Sequence, residues 1–486
     1  MGPTVAWPYD GRMFAAATIA GALHMHACTA GKARLPSICG TLRVYENRAA
    51  AAGRTIGLKF VVIKAAHPPG RALAWNPGGP GASATTDADA IADGTYFKPL
   101  SELRDRYDIL LVDNRGTGGS APQECDLAPP AEPQLYFKQL WPDARLESCR
   151  ARLARTADLS LYTTSVAADD LNELRAALGY RRLVLVGGSY GTRFYMVYAR
   201  RHPESVESLV LDGVVPPHFL VIPLQDAQGA QLAVTRLIAE CKVDPACNAR
   251  FPDFGPHFYA VVRRFDAGPV DVPLRNPKTA AVTIVQLSKE VFADRFRQLL
   301  YSPESAAYAP FIIERAYRHD YAPLATMIAT LAQGFAGLLA EGLNLSVTCA
   351  EDIPFITEDA VVTSSTHSFE GDLRVRAQQR ACRIWSVRPV PASFNEPVQS
   401  RAPILMISGT DDPTSPPAYA EAALPYLPNA RILLIRNASH GTETTCSDRL
   451  IAAFVLAGSG KGLDLAGCRG GYHRPAFATS MAGFDN

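Results

Sequence analysis

Three short stretches carry residue types that could act together. In LVLVGGSYGTRFYMVYARRHP, Leu183 to Pro203, the residues Gly187, Ser189 and Gly191 make GxSxG directly after an apolar strand-like run and directly before a helix-like one. A turn that tight tolerates only small residues two before and two after the serine, and it lifts the hydroxyl above the strand ends. A serine hydroxyl is a weak nucleophile and needs a base that is itself oriented by a carboxylate. TDDPTSPP follows ILMISG and places Asp411 and Asp412 just past a second strand end, while RNASHGT follows ILLI and places His440 just past a third. Serine, then acid, then histidine, each on a loop after a strand, is the chain order in which an elbow serine finds its partners. The chemistry this predicts is acyl transfer to a serine oxygen.

An oxyanion formed in that chemistry needs two unobstructed backbone N–H donors, each worth about 3–4 kcal/mol of barrier. WNPGGPGAS, Trp75 to Ser83, is a glycine turn after the run ALAW, so the N–H groups of Gly79 and of Tyr190, the residue after Ser189, are the candidates. Taken alone the turn reads equally well as a structural Pro-Gly turn. It is not a phosphate loop, because no Lys-Ser or Lys-Thr follows the glycines. In VDNRGTGGSAP, Asp113 and Arg115 are expected to brace neighbouring loops.

The elements that must position these residues follow from hydrophobic patterning. Short β-branched runs at Leu58 to Ile63, Ala72 to Trp75, Asp108 to Val112, Leu183 to Gly187, Leu209 to Asp212, Ile404 to Ser408 and Ile432 to Ile435 are separated by helical stretches such as Ser165 to Leu178. Near-continuous apolar strands alternating with helices predict a mostly parallel sheet buried on both faces. The rhythm breaks after Pro217 and resumes at Ile404, with helix-like stretches such as DAQGAQLAVTRLIAECK and SKEVFADRFRQLLY between. The expected organisation is a leader over residues 1–30, a sheet domain in two parts over 31–217 and 396–486, and an inserted helical cap over 218–395. Residues 321–340 run without a charge but are only mildly apolar, and are expected to form a buried or half-buried helix. No integral membrane span is expected.

Composition narrows the function classes. Forty-eight basic residues against 47 acidic ones in 486 leave a net charge of +1 and no field for a nucleic-acid backbone. The ten cysteines never form paired CxxC knuckles, so no metal site is expected. Their wide spacing fits disulfides in an oxidising compartment, and sequence order suggests Cys125 with Cys149, Cys241 with Cys247, Cys349 with Cys382 and Cys446 with Cys468. Arg12 followed by MFAAATIAGALHMHA looks like a secretory signal, with a lipid on Cys28 as a lesser alternative. A secreted or periplasmic protein follows.

GGPG after one strand, DNRGTG after the next, GGSYG at the elbow, DPTSP around the acid and SHG at the base together resemble the proline iminopeptidase and tripeptidyl-aminopeptidase-like branch of the α/β-hydrolase superfamily. Covering roughly Cys39 to Cys468, the resemblance takes in CGTLRVYENR near the start and SVTCAEDIPF with CRIW in the insertion. It implies an α/β-hydrolase fold with a helical cap, hydrolysis through an acyl-serine, no cofactor, and export with a disulfide between the two cap cysteines. Carried over, Ser189 is the nucleophile, His440 the base and Asp412 the acid, preferred to Asp411 because it precedes Pro413 as in the family's Asp-Pro pattern. Pro77 stands where iminopeptidases carry histidine, which moves the chain toward the tripeptidyl-aminopeptidase-like side, and Ser415 stands where threonine is common. Such exopeptidases hold the substrate α-ammonium with cap carboxylates, for which Glu351 and Asp352 are the candidates; solvated loop charge or a structural cap explains them as well.

An exported aminopeptidase acting on peptides is therefore the leading expectation, with a carboxylesterase acting on small esters as runner-up, since the fold does not fix the leaving group. A non-catalytic binding protein on the same fold is the alternative of another class. Oligomeric state is not legible in the sequence.

Overall fold

The computed structural model describes residues 22–67, 71–275, 280–441, 443–468 and 471–484. Eleven strands are found among them: β1 (Leu23–Ala30), β2 (Leu35–Tyr45), β3 (Thr55–Ile63), β4 (Ala72–Asn76), β5 (Asp108–Val112), β6 (Leu183–Gly188), β7 (Val206–Asp212), β8 (Val270–Arg275), β9 (Val282–Leu287), β10 (Ile404–Gly409) and β11 (Ala430–Ile435). Nine form one sheet in the order β1-β2-β3-β5-β4-β6-β7-β10-β11, and β8 pairs with β9 alone. Along that order pairing is antiparallel from β1 to β5 and parallel from β5 to β11. This is the mostly parallel sheet that the apolar runs predict, in the α/β-hydrolase fold that the resemblance implies.

Alternation along the strands divides the core in two. Leu73, Val184, Val186, Val210, Leu405 and Ile407 belong to one buried cluster. Their neighbours Ala72, Ala74, Leu183, Leu185, Leu209, Leu211 and Met406 belong to another. Successive side chains point to opposite faces, so strands covered on both sides must be apolar throughout. The helices α1 (Thr164–Ala177) and α2 (Tyr190–Arg201) cover one face, and α2 starts directly from the elbow.

Between β7 and β10 lie α3 (Asp226–Val243), the β8–β9 hairpin, α4 (Lys289–Leu299), α5 (Ala322–Leu338), α6 (Glu341–Glu351) and α7 (Leu373–Trp385). They share a third cluster that also contains Cys125, Tyr136, Phe137, Trp141, Leu146 and Leu159. The cap is thus not confined to 218–395: the excursion between β5 and α1, expected within the sheet domain, packs its apolar residues into the cap. After β11, α8 (Thr445–Ala457) closes the sheet domain.

Disulfides join Cys125 to Cys149, Cys241 to Cys247, Cys349 to Cys382 and Cys446 to Cys468, as sequence order suggests, and Cys28 to Cys39 as a fifth. The fifth corrects two expectations. Residues 23–30 are an edge strand of the main sheet rather than the end of a leader, and the Cys28 sulfur, bonded to Cys39, has no valence left for a lipid thioether. Residues 1–21 of the expected leader lie outside the described residues. The stretch 321–340 forms α5, with Leu324, Ala325, Met327 and Ile328 buried. Among the described residues no single helix is long and apolar enough to cross a membrane.

Candidate active site

The carboxyl ends of β4, β6, β7, β10 and β11 converge on one rim, where open parallel sheets place their ligand sites. Ser189 sits at the tip of the β6–α2 turn with φ 53° and ψ −126°, a conformation costly for any residue with a side chain. Its neighbours explain the spacing of the motif. A side chain at Gly187 would begin 2.6 Å from the Gly191 carbonyl, and one at Gly191 only 2.4 Å from the Asn76 oxygen. The turn is held by the Ser189 N–H donating to the Asp212 carbonyl at 2.8 Å. On its other side Thr192 Oγ1 donates to the Ser189 carbonyl at 2.6 Å.

Asp412 follows β10 and is almost completely buried. Its Oδ1 accepts the N–H groups of Thr414 and Ser415, each at 2.8 Å. Its Oδ2 accepts the Ser415 hydroxyl at 2.7 Å and faces His440 Nδ1 at 2.8 Å. Burial alone would raise this carboxyl, but the imidazole and these donors hold it below its ordinary value. Asp411 points elsewhere, pairing with Arg236 at 3.2 Å. For His440 burial disfavours the charged ring, yet Asp412, with Asp212 adding to it, holds its pKa above the usual imidazole range. An Nδ1 hydrogen engaged by a carboxylate leaves Nε2 as the ring's proton acceptor.

Two features of this loop cluster escaped sequence reasoning. The His440 N–H donates to the carbonyl of Tyr301, a cap residue just past α4, at 3.1 Å. No sequence signal marks a backbone carbonyl. Asp212 ends β7, buried beside His440 and pushed up to about 7 by that burial, with Asp412 adding to the effect. A carboxylate closing an apolar strand was the signal available for it. The Asp212–Gly213 segment joins the two halves of the site: Asp212 receives the Ser189 amide, and a side chain at Gly213 would begin 3.2 Å from His440 Cε1.

The turn after β4 lies against the elbow, since a side chain at Gly78 would begin 3.1 Å from both Ser189 Cβ and Tyr190 N. Gly78 N–H is engaged by Asn76 Oδ1 at 3.0 Å. Among the described residues no acceptor is found for the N–H of Gly79 or of Tyr190. The cap backs the turn, with Ala340 N–H donating to the Gly81 carbonyl at 3.0 Å and Asn344 Nδ2 to the Pro80 carbonyl at 3.3 Å. Asp113 accepts from Ser83, Thr85 and Gly119, and Arg115 grips Asp170 and the carbonyls of Glu46 and Leu161. Both brace loops, as expected.

Glu351 and Asp352 require a correction. Both are 0% exposed. Glu351 accepts the Thr164 N–H at 2.6 Å and its hydroxyl at 2.7 Å, and Asp352 takes Arg193 Nη1 on both oxygens at 2.9 Å. They pin the end of α6 to α1 and α2 beneath the elbow. A carboxylate sealed behind the nucleophile has no face to offer a substrate ammonium. No cluster of His, Cys, Asp or Glu among the described residues could hold a metal ion.

Residues 76–249 match the family described as alpha/beta hydrolase fold, and residues 369–466 match the one described as TAP-like protein. The chain is 23% identical to the serine protease Hip1 of Mycobacterium tuberculosis over 463 residues, covering 87% of this chain and 86% of that one. It is 32% identical to the tripeptidyl aminopeptidase of Streptomyces lividans over 158 residues, 30% of this chain and 29% of that one. Among solved structures, the proline iminopeptidase of Mycobacterium smegmatis aligns over 86% of this chain and 98% of that one, at 15% identity and a TM-score of 0.40.

Proposed function

We propose that this chain, a serine hydrolase with the α/β-hydrolase fold and a TAP-like C-terminal segment, is an exported peptidase that removes residues from peptide N-termini through an acyl-serine. Ser189 is the nucleophile in this reading, His440 the base and Asp412 its orienting acid. His440 Nε2 takes the hydroxyl proton as Ser189 Oγ adds to the scissile carbonyl. The N–H groups of Gly79 and Tyr190 receive the oxyanion. Collapse expels the amine, protonated by His440, and leaves an acyl-serine. Water, deprotonated by the same imidazole, then releases the acid and restores the serine.

The observation that carries the reading is the 2.8 Å contact of His440 Nδ1 with Asp412 Oδ2, on a loop that meets the elbow at Asp212–Gly213. The likeness to a serine protease and a tripeptidyl aminopeptidase favours peptides as substrates. Five disulfides favour an oxidising destination, secreted or periplasmic. One observation favours an esterase instead: the cap presents apolar groups to the site, with Leu339 against Gly79 and the Phe335 ring 6.0 Å from Tyr301, while Glu351 and Asp352 are sealed away.

Hydrolysis of aminoacyl and peptidyl anilides beside short-chain esters decides between them. Anilides with a free N-terminus are expected to turn over, and their N-acetylated counterparts to resist. Ester cleavage alone would overturn the peptidase reading. Ser189→Ala is expected to lower turnover about a millionfold in either case, and near-normal activity of that variant would refute the serine mechanism.

A further inference from the structure

Near the acid and base loops the cap carries a buried arginine, Arg297 on α4, 4% exposed at its side chain. Its Nη1 donates to the Tyr301 hydroxyl at 2.5 Å and to Thr414 Oγ1 at 2.9 Å. The two oxygens also meet each other at 3.1 Å. Thr414 in turn donates to Asp226 Oδ1 on α3 at 3.3 Å. The guanidinium is fixed from behind by Asp294 at 2.7 Å, with Glu370 3.4 Å from its Nε.

Each arm ends on a site loop. Thr414 donates its N–H to Asp412 Oδ1, so the first arm runs from Arg297 to the acid. Tyr301 accepts the His440 N–H on its carbonyl, so the second runs to the base. The ring of Tyr301 lies 5.2 Å from that of His440.

We propose that Arg297 is a positioning residue for the hydrolytic site, a single cap side chain that sets the acid loop through Thr414 and the base loop through Tyr301 in mutual register. This rests on the reading of Asp412 and His440 given above. It makes the cap part of the machinery that aligns the proton acceptor, rather than a cover over a finished site. An imidazole held at both its ring and its backbone cannot drift from its carboxylate, and a displacement of about 1 Å at such a group costs on the order of a hundredfold in rate.

Replacing Arg297 itself would take a cation from the buried carboxylates Asp226, Asp294 and Glu370 and compromise folding, so the test uses the two arms. Tyr301→Phe and Thr414→Val each remove one oxygen and keep shape and backbone. In the full chain, each is expected to lower kcat about tenfold with KM within about twofold, on whichever anilide or ester the wild type cleaves best. Labelling of Ser189 by a fluorophosphonate should slow in parallel, with the melting temperature nearly unchanged. The double variant should be no slower than the slower single one, because both arms end on one guanidinium. Wild-type kcat and labelling in the folded variants would overturn the proposal, and so would losses that multiply in the double. If Ser189→Ala still turns over, it is the hydrolase mechanism that fails; an inert Ser189→Ala beside unimpaired Tyr301→Phe and Thr414→Val removes the clamp alone.

Discussion

Two buried carboxylates flank the elbow, one on each side, and they are in opposite states. Asp412 stands on the rim, takes donors from Thr414, Ser415 and His440, and is held below its ordinary pKa. Glu351 stands beneath α2, takes its donors from Thr164, and is pushed up to about 7 by burial. Burial is common to both, so it does not decide function. What separates them is a titrating partner: Asp412 faces an imidazole that can share its charge through a reaction, whereas Glu351 faces a threonine that in turn contacts the Tyr190 hydroxyl at 2.6 Å. One is an electrostatic part and the other a tether, although both lie near the same serine in sequence-distant segments.

The sharpest way to break this contrast is to remove charge from Asp412. Asp412→Asn keeps shape but takes the carboxylate from His440 Nδ1, and kcat is expected to fall by about four orders of magnitude. The residual activity should also titrate differently. As the base, His440 must be neutral, so kcat/KM rises with pH through its pKa, which the wild type holds above the ordinary value of about 6.5. With the carboxylate gone the limb is expected to move to lower pH. Asp212, pushed up to about 7 and acting electrostatically on the same ring, also changes charge near neutral pH, so Asp212→Asn must be profiled alongside. An Asp412→Asn variant with an unmoved limb and little loss of rate would erase the distinction between the two carboxylates.

Next in size is the partner of Glu351 in sequence. Asp352 neutralises Arg193 in a site with no exposure. Asp352→Asn leaves a buried guanidinium uncompensated and is expected to cost about 3–5 kcal/mol in denaturant unfolding. The folded fraction should keep its turnover. Loss of kcat without loss of stability would instead return Asp352 to the substrate.

The asymmetry also explains what could be read from the chain. The seven apolar strands and the loops that follow them are written in local patterning, because a strand buried on both faces must be continuous. Ser189, Asp412 and His440 are found where those strands stop. The edge strands β1 and β2 carry no such pattern: residues 24–27 of β1 are exposed, so its sequence resembles a leader. The hairpin β8–β9 is hidden for the same reason, with Val282 and Ile284 exposed. Glu351 and Asp352 were misread because their fate depends on Thr164 and Arg193, 187 and 159 residues away. A charged pair near a cysteine looks the same in sequence whether it meets water or an arginine.

The smallest expected effect comes from Glu351 itself, and its sign is informative. A carboxyl whose pKa is raised on folding binds its proton more tightly in the folded state, so the stability it contributes is full below its ordinary 4.5 and is lost as pH rises through about 7. Glu351→Gln fixes the neutral state at every pH. Its amide can donate to Thr164 Oγ1, its oxygen can still accept the Thr164 N–H, and the threonine hydroxyl remains free to donate to Tyr190. The variant should match the wild type at pH 4.5 and exceed it at pH 8, by no more than about 3 kcal/mol. Because Tyr190 also carries the candidate oxyanion N–H, kcat is the second readout and is expected to hold within about twofold. A variant that loses kcat while gaining stability would show that the negative charge beneath the elbow, and not only the tether, shapes the reaction above it.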